Sequence, residues 1–239
     1  MADQNGSRSS PAPVGEMPDE LRLEGTARIA YRLIRSLIKV VAKLAFRLEV
    51  HGQQNLPATG GFILAPGAHR SILDTPIVSG AGPRLWRYMG AESYFRIPVL
   101  GWFLRVMGGF PVERAQSDRA ALRASEQVLA NGEPLVVFPE GTRQSGPVIG
   151  SLKEGAAYLA GRAQVPIVPV GMGGTERALP KGRYLPRPRK LVLVVGEPID
   201  PPQGTDGRRA SRSQVRAVSE QLHQALQELF DEAQIRAGV

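Results

Sequence analysis

The sequence predicts an α/β fold: a largely parallel central sheet of about seven strands, flanked by helices and preceded by an amphipathic helix. Short Val-, Ile- and Leu-rich runs alternate with segments of helical periodicity, the pattern of strand–helix units in which the strands run parallel. The chain has 239 residues, 42% of them hydrophobic, enough for one well-buried core with at most an appendage. It contains no internal repeat.

Taken in order, residues 1–16, MADQNGSRSSPAPVGE, are rich in Ser, Pro and Gly and lack an apolar run, so they read as a disordered tail and not as a signal peptide. Residues 27–48 place cations at Arg28, Arg32, Arg35, Lys39, Lys43 and Arg47, with Ala30, Leu33, Ile34, Leu37, Val41, Leu44 and Leu48 on the other side. That spacing is a 3.6-period helix with one basic and one apolar stripe. It suits a bilayer interface, apolar side down and cations among anionic headgroups, and equally a helix whose apolar stripe packs on the core. No stretch of 18 uncharged apolar residues exists, so a conventional membrane span is not expected.

The candidate strands are 47–52, 61–66, 84–90, 109–113, 134–139, 165–171 and 190–196. Candidate helices begin near Asp74, Pro98, Ser117 and Leu152. Ser117 can cap the third of these, and Asn131-Gly132 ends it. The stretch 172–189 is a long loop rich in Gly, Pro and basic residues, either functional or a solvated crossover. Residues 201–213 are a polar loop, and 214–236 a closing amphipathic helix.

The formal charge of +8 predicts attraction to anionic partners: nucleic acid, an acidic membrane surface or phosphorylated small molecules. Of the 30 basic residues, 25 are Arg, which suits bidentate phosphate recognition. The absence of cysteine excludes disulfides, thiolate nucleophiles and Cys-based metal sites, and leaves the cytosol as the default compartment.

Chemistry concentrates in four stretches. In HRSILD, His69 and Asp74 are five apart, and on one continuous helix they would point about 140° away from each other. They can meet if His69 lies in the loop leaving strand 61–66 and Asp74 begins the next helix as its N-cap. The carboxylate then holds one imidazole nitrogen and leaves the other to take a proton. From this hexapeptide alone, an ordinary loop histidine beside a helix cap is the simpler reading. VVFPEGTRQ brings Glu140, Gly141, Thr142 and Arg143 to one strand end, where ligands of open α/β sheets bind. Arg143 could clamp a phosphate, and Gly141 would let a substrate approach the backbone. GGFPVER adds Arg114 at another strand exit, and VPIVPV reads as a buried strand that shapes a pocket wall.

Other chemistries are poorly served. The three histidines, His51, His69 and His223, are scattered, and phosphate-loop, dinucleotide and serine-hydrolase fingerprints are missing. A base acting directly on a substrate hydroxyl is the simplest mechanism left. Nucleic-acid binding would rest on net charge alone, without an aromatic-studded basic strand.

HRSILD, GGFPVER, FPEGTR and VPIVPV, in that order, resemble the four sequence blocks of the glycerolipid acyltransferases. The resemblance is closest to the bacterial 1-acyl-sn-glycerol-3-phosphate acyltransferases and spans about residues 49–200, including LKEGAAYLA, GTERALPKG and VGEPI. It implies transfer of a fatty acyl group from acyl-CoA or acyl-carrier protein to the free hydroxyl of a lysophospholipid, giving phosphatidic acid when the acceptor is 1-acyl-glycerol-3-phosphate. No covalent intermediate, metal or organic cofactor is expected. His69 would be the base and Asp74 its orienter. Arg114, Glu140, Gly141, Thr142 and Arg143 would bind the acceptor's glycerol-phosphate, with Lys153 and Arg177 added as basic pocket candidates. A backbone N–H near Gly141 could stabilise the developing oxyanion.

The implied layout is a tail at 1–16, a membrane-interface helix within 17–48, a catalytic domain over 49–200, and a loop and helix packing on it over 201–239. An anionic membrane surface is the expected partner and nucleic acid is not; the expected location is peripheral, on the cytoplasmic side of the cell membrane. Acceptors other than lysophosphatidate, including glycerol-3-phosphate, and a non-catalytic lipid-binding module of the same fold remain as alternatives. The chain departs from the family pattern at Ala68, where Asn commonly precedes the histidine, and at Gln144, where Ser is common.

Overall fold

The computed structural model describes residues 25–112, 117–180, 182–204 and 209–239. The tail read at 1–16 and Arg114 lie outside the described residues. Seven strands form one sheet in the order β1-β7-β6-β2-β5-β3-β4: β1 (Glu49–His51), β2 (Ile63–Pro66), β3 (Arg87–Ala91), β4 (Gly109–Val112), β5 (Leu135–Val136), β6 (Ile167–Gly173) and β7 (Val192–Val195). Every pairing is parallel except β6 with β7. Each strand falls at a position that the apolar runs predict, and the sheet is largely parallel as expected.

Strand β5 is shorter than the apolar run around it for a local reason. The Val137 amide still donates to the Leu64 carbonyl at 2.9 Å, but Pro139 has no N–H to continue the ladder. Central strand β2 is buried on both faces. Ile63 and Ala65 join one apolar cluster, with Phe110, Leu129, Leu159 and Phe230, while Phe62 and Leu64 join another, with Phe46, Trp86 and Val168. This alternation with period two places a core on each side of the sheet.

Helices α2 (Asp74–Val78), α4 (Pro98–Val106), α5 (Ser117–Ala130) and α6 (Gly155–Ala163) lie close to where the sequence places them. Two short helices were not anticipated: α3 (Glu92–Phe95) and α7 (Thr175–Ala178). Each is a single turn, too brief to show periodicity. Helix α7 opens the long 172–189 excursion.

Helix α8 (Arg212–Ala237) starts two residues before its periodicity suggests. Ser211 and Gln214 form a reciprocal capping box that extends it into the polar loop. The helix lies directly on β6, with backbone against backbone. A Cβ on Gly171 would fall 2.1 Å from the Leu229 carbonyl oxygen, and one on Gly173 would fall 2.1 Å from that of Ala233. A strand repeat of two therefore meets a helix repeat of four along a glycine track.

Helix α1 (Gly25–Phe46) resolves the two readings of the amphipathic segment in an unexpected way. Leu33, Leu37, Val41 and Leu44 of its apolar stripe are exposed, while Ala30 and Ile34 are half-buried and Leu48, past the helix end, packs on the core. Instead the middle of the basic stripe holds the helix to the body. Arg35, buried, donates from Nε to the Ser79 carbonyl at 2.8 Å, from Nη1 to Pro83 at 2.9 Å, and from Nη2 to Gly82. Burial lowers its pKa from the ordinary guanidinium value. Lys39 adds a bond to Gly82 at 3.2 Å, and Tyr31 accepts from the Trp86 amide at 3.0 Å. Tyr31, Ala42 and Phe46 are buried, while Leu33 (67%) and Leu44 (76%) stand in the open with Ile29, Leu37, Val40 and Val41.

Gly171→Ala should lower stability by about 3 kcal/mol or more, because neither backbone can yield; urea denaturation measures it. Arg35→Ala should cost about 2–4 kcal/mol by orphaning buried carbonyls at Ser79 and Gly82, and Arg35→Lys should recover less than half of that, since an ammonium cannot span all three.

Candidate active site

The site is built where two adjacent parallel strands, β2 and β5, release their chains at the same edge of the sheet. After Pro66 the backbone turns through Ala68, which takes a left-handed conformation at φ 58 and is buried. An L-residue with a Cβ is strained there, whereas Asn is among the side chains that tolerate it best. This turn sends the 69–73 loop back over the sheet edge and into α2.

Asp74 is fully buried, and its Oδ2 accepts three hydrogen bonds: from His69 Nδ1 at 2.9 Å, and from the Arg70 and Ser71 amides at 2.7 Å each. The expected pairing of His69 with Asp74 is therefore present. The expected capping is not. Asp74 is the first helical residue of α2, and its carboxylate reaches back to the loop amides instead of capping the helix, whose N-cap Leu73 offers no side-chain bond.

A carboxylate with two backbone donors on the same oxygen can only accept, so Nδ1 carries the proton in this bond. The neutral ring then has its lone pair on Nε2, which has no protein partner among the described residues. The His69 side chain is 19% exposed, and its ring stacks at a tilt on Phe138, 4.4 Å between centroids. Such a ring can take a proton at Nε2 while the carboxylate steadies the resulting cation.

The 138–144 loop is laced to the histidine loop in both directions. The His69 amide donates to Glu140 Oε2 at 2.9 Å, and the Gln144 amide donates to the His69 carbonyl at 2.8 Å. Glu140 is only 4% exposed. Its Oε1 accepts from the Gly150 amide at 2.8 Å and from Arg70 Nη1 at 3.3 Å. Both carboxylate oxygens of Glu140 are thus engaged by loop donors and by Arg70, so the side chain ties the two loops together. Arg70, also buried, continues to the Val148 carbonyl at 2.7 Å and lies over the Phe230 ring.

Gly141 sits at φ 73, a turn that favours glycine, and its amide donates to Phe138. That bond occupies the Gly141 amide itself, so an oxyanion donor near Gly141 would be another N–H of the loop. Thr142 and Arg143 are exposed beside it, and Thr142 Oγ1 accepts from Gln144. Lys153 joins them: its amide donates to Pro139, and its terminal carbons and Nζ lie over Gly141, where a Cβ would come within about 3 Å. Arg177 is placed elsewhere. Its guanidinium donates to the Gly238 carbonyl at 2.8 Å, at the C-terminal end of α8.

Arg70, Ser71, Phe138 and Gly150 were missed by sequence reasoning. Arg70 and Ser71 stand inside HRSILD, but their partners are Glu140 and the Leu179 carbonyl, and nothing local signals either one. A cavity of about 730 Å³ lies on the other side of Val137, walled by Met89, Leu122, Tyr158, Leu159 and Val215.

Glu140→Gln tests this tying role. An amide NH₂ would face one of two N–H donors, and Arg70 would lose its counter-charge. Stability should fall by about 3 kcal/mol in urea denaturation, whereas a carboxylate that only met substrate would leave it unchanged.

Comparison with known proteins agrees with this architecture. The acyltransferase family model matches residues 47–173. The 1-acyl-sn-glycerol-3-phosphate acyltransferase of Bacillus subtilis is 31% identical over 201 residues, covering 83% of this chain and 96% of that protein. The protein of the same name from Chlamydomonas reinhardtii is 28% identical over 193 residues, 79% of this chain and 58% of its own length. The crystal structure of the 1-acyl-sn-glycerophosphate acyltransferase PlsC from Thermotoga maritima superposes with a TM-score of 0.67 at 29% identity, covering 87% of this chain and 84% of that one. A family model over more than half of the chain, and a relative 31% identical over nearly its whole length, show that the chain belongs to the acyltransferase family.

Proposed function

We propose that this acyltransferase moves a fatty acyl group from a thioester, acyl-CoA or acyl-carrier protein, to the free hydroxyl of 1-acyl-glycerol-3-phosphate, giving phosphatidic acid. The observation that carries the reading is the His69–Asp74 pair, with Nδ1 fixed at 2.9 Å and Nε2 open. Nε2 removes the hydroxyl proton as that oxygen attacks the thioester carbonyl. Collapse of the tetrahedral adduct breaks the carbon–sulfur bond, and the departing thiolate takes the proton back from the imidazolium. Proton and electron pair both balance without an enzyme-bound acyl group, metal or organic cofactor.

Arg143 and Lys153 supply the positive charge beside this chemistry that an acceptor phosphate needs, and Thr142 adds a hydroxyl. Arg114 remains part of the proposed acceptor site by the family pattern alone. The apolar cavity beside Val137 has the size of a small-molecule pocket and offers room for a fatty chain.

The outward apolar face of α1 favours an acceptor that resides in a bilayer over free glycerol-3-phosphate. No helix among the described residues is long and apolar enough to cross a membrane. Attachment through one leaflet, on the cytoplasmic face where anionic lipids and the thioester donor meet, is the location this reading implies.

Purified protein should release free CoA from acyl-CoA only when lysophosphatidate is added, and a panel of lyso-acceptors, glycerol-3-phosphate and both donor types should rank lysophosphatidate first. His69→Ala should lower kcat by about 10²–10⁴-fold, the range of general-base catalysis. Acceptor-independent turnover, or an unimpaired His69→Ala variant, overturns the assignment.

A further inference from the structure

A second apolar surface stands beside α1. Helices α3 and α4 form a hairpin packed against one another, and α4 also packs against α1. Its outer side exposes Val99 (80%) and Trp102 (58%), together with Tyr94, Ile97, Leu100 and Phe103. Helix α4 carries no acidic residue and ends on the exposed cation Arg105, while Arg96 beside it is paired with Glu92 of α3 at 3.0 Å.

These side chains cannot fold inward. Gly101 brings α4 so close to α3 that a Cβ there would fall 2.2 Å from the Phe95 carbonyl oxygen, and Phe95 itself fills the inner side against Gly90 and Gly109. The hairpin is thus locked with its large apolar residues outward. Within the histidine loop, Ile72 (60%) is exposed as well, three residues from His69.

We propose that the α3–α4 hairpin is a second bilayer contact, with Trp102 and Val99 entering the interface beside α1 so that the His69 opening is seated at the lipid surface. The inference rests on the reading that the acceptor is a bilayer lipid. Charge and chemistry select the occupant. The apolar patch has aromatic Trp and Tyr with Arg at its edge, and it continues the surface of a helix that adds exposed Arg28, Arg32 and Lys43, with Arg47 just past its end. An anionic bilayer matches both the apolar centre and the cationic rim.

The chain supplies its own reporter. Of its two tryptophans, Trp86 is fully buried and Trp102 is exposed, so any response to lipid reports on Trp102. Full-length protein added to phosphatidylcholine–phosphatidylglycerol vesicles should show a blue-shifted emission that brominated lipids quench. The double variant Val99→Ser/Trp102→Ser should raise the vesicle dissociation constant at least about tenfold, while kcat/KM on a water-soluble short-chain lyso-acceptor stays unchanged.

Unquenched Trp102 in protein that still sediments with vesicles, or wild-type vesicle affinity in the double variant, overturns the proposal. So does concentration-dependent dimerisation that the double variant abolishes without any lipid quenching, which would make the patch a contact between copies. Loss of turnover on the soluble acceptor by the wild type would instead sink the proposed reaction and leave the quenching result to stand alone.

Discussion

A single carboxylate oxygen organises the functional edge of this molecule. Oδ2 of Asp74 gathers an imidazole and two consecutive backbone amides into one buried point. Removed from water, such an acceptor is costly unless its donors are supplied, and the loop between β2 and α2 is shaped to supply them. The turn at Ala68 makes that possible, at the expense of a backbone conformation that an alanine does not favour. Ring orientation, tautomer and loop path are consequently one property, since disturbing any of the three donors disturbs the others.

A second buried carboxylate fixes this unit to the rest of the edge. Glu140 receives the amide of His69 and that of Gly150, while the Gln144 amide answers to the His69 carbonyl. The loops after β2 and β5 therefore behave as one rigid body on two neighbouring strands. The exposed groups of the second loop, Thr142 and Arg143, are held in register with the ring through these bonds. Arg70 extends the network beneath, toward the segment leading to α6. An acyl transfer needs a base, an acceptor and a carbonyl aligned together, and rigid strand ends provide that alignment better than independent loops would.

Much of this was legible in the sequence. All seven strands announced themselves through short apolar runs, and the His69–Asp74 contact was expected from the four ordered motifs together, since the hexapeptide alone favoured an ordinary loop histidine. What stayed hidden was direction and partnership. A stripe of arginines at helical spacing is the same whether it faces lipid or carbonyls, so α1 could not reveal that Arg35 turns inward and its leucines outward. Glu140 read as a site carboxylate from its place in FPEGTR and the family pattern, which say nothing of its partners. Only the fold places the amide of a residue 71 positions away against it. The partner of Arg177 was hidden for a related reason: this basic residue of α7 finds the C-terminus of α8, remote in sequence, close at hand. One-turn helices such as α3 and α7 carry too few residues for any periodic signal.

The account depends on which nitrogen of His69 holds the proton. Nitrogen-15 NMR of selectively histidine-labelled protein near neutral pH reads this directly. Whenever the His69 ring is neutral, the geometry requires its proton at Nδ1 and leaves Nε2 bare, with that signature lost in Asp74→Asn. A ring protonated at Nε2, or one whose tautomer ignores the Asp74 substitution, would contradict the role assigned to the pair.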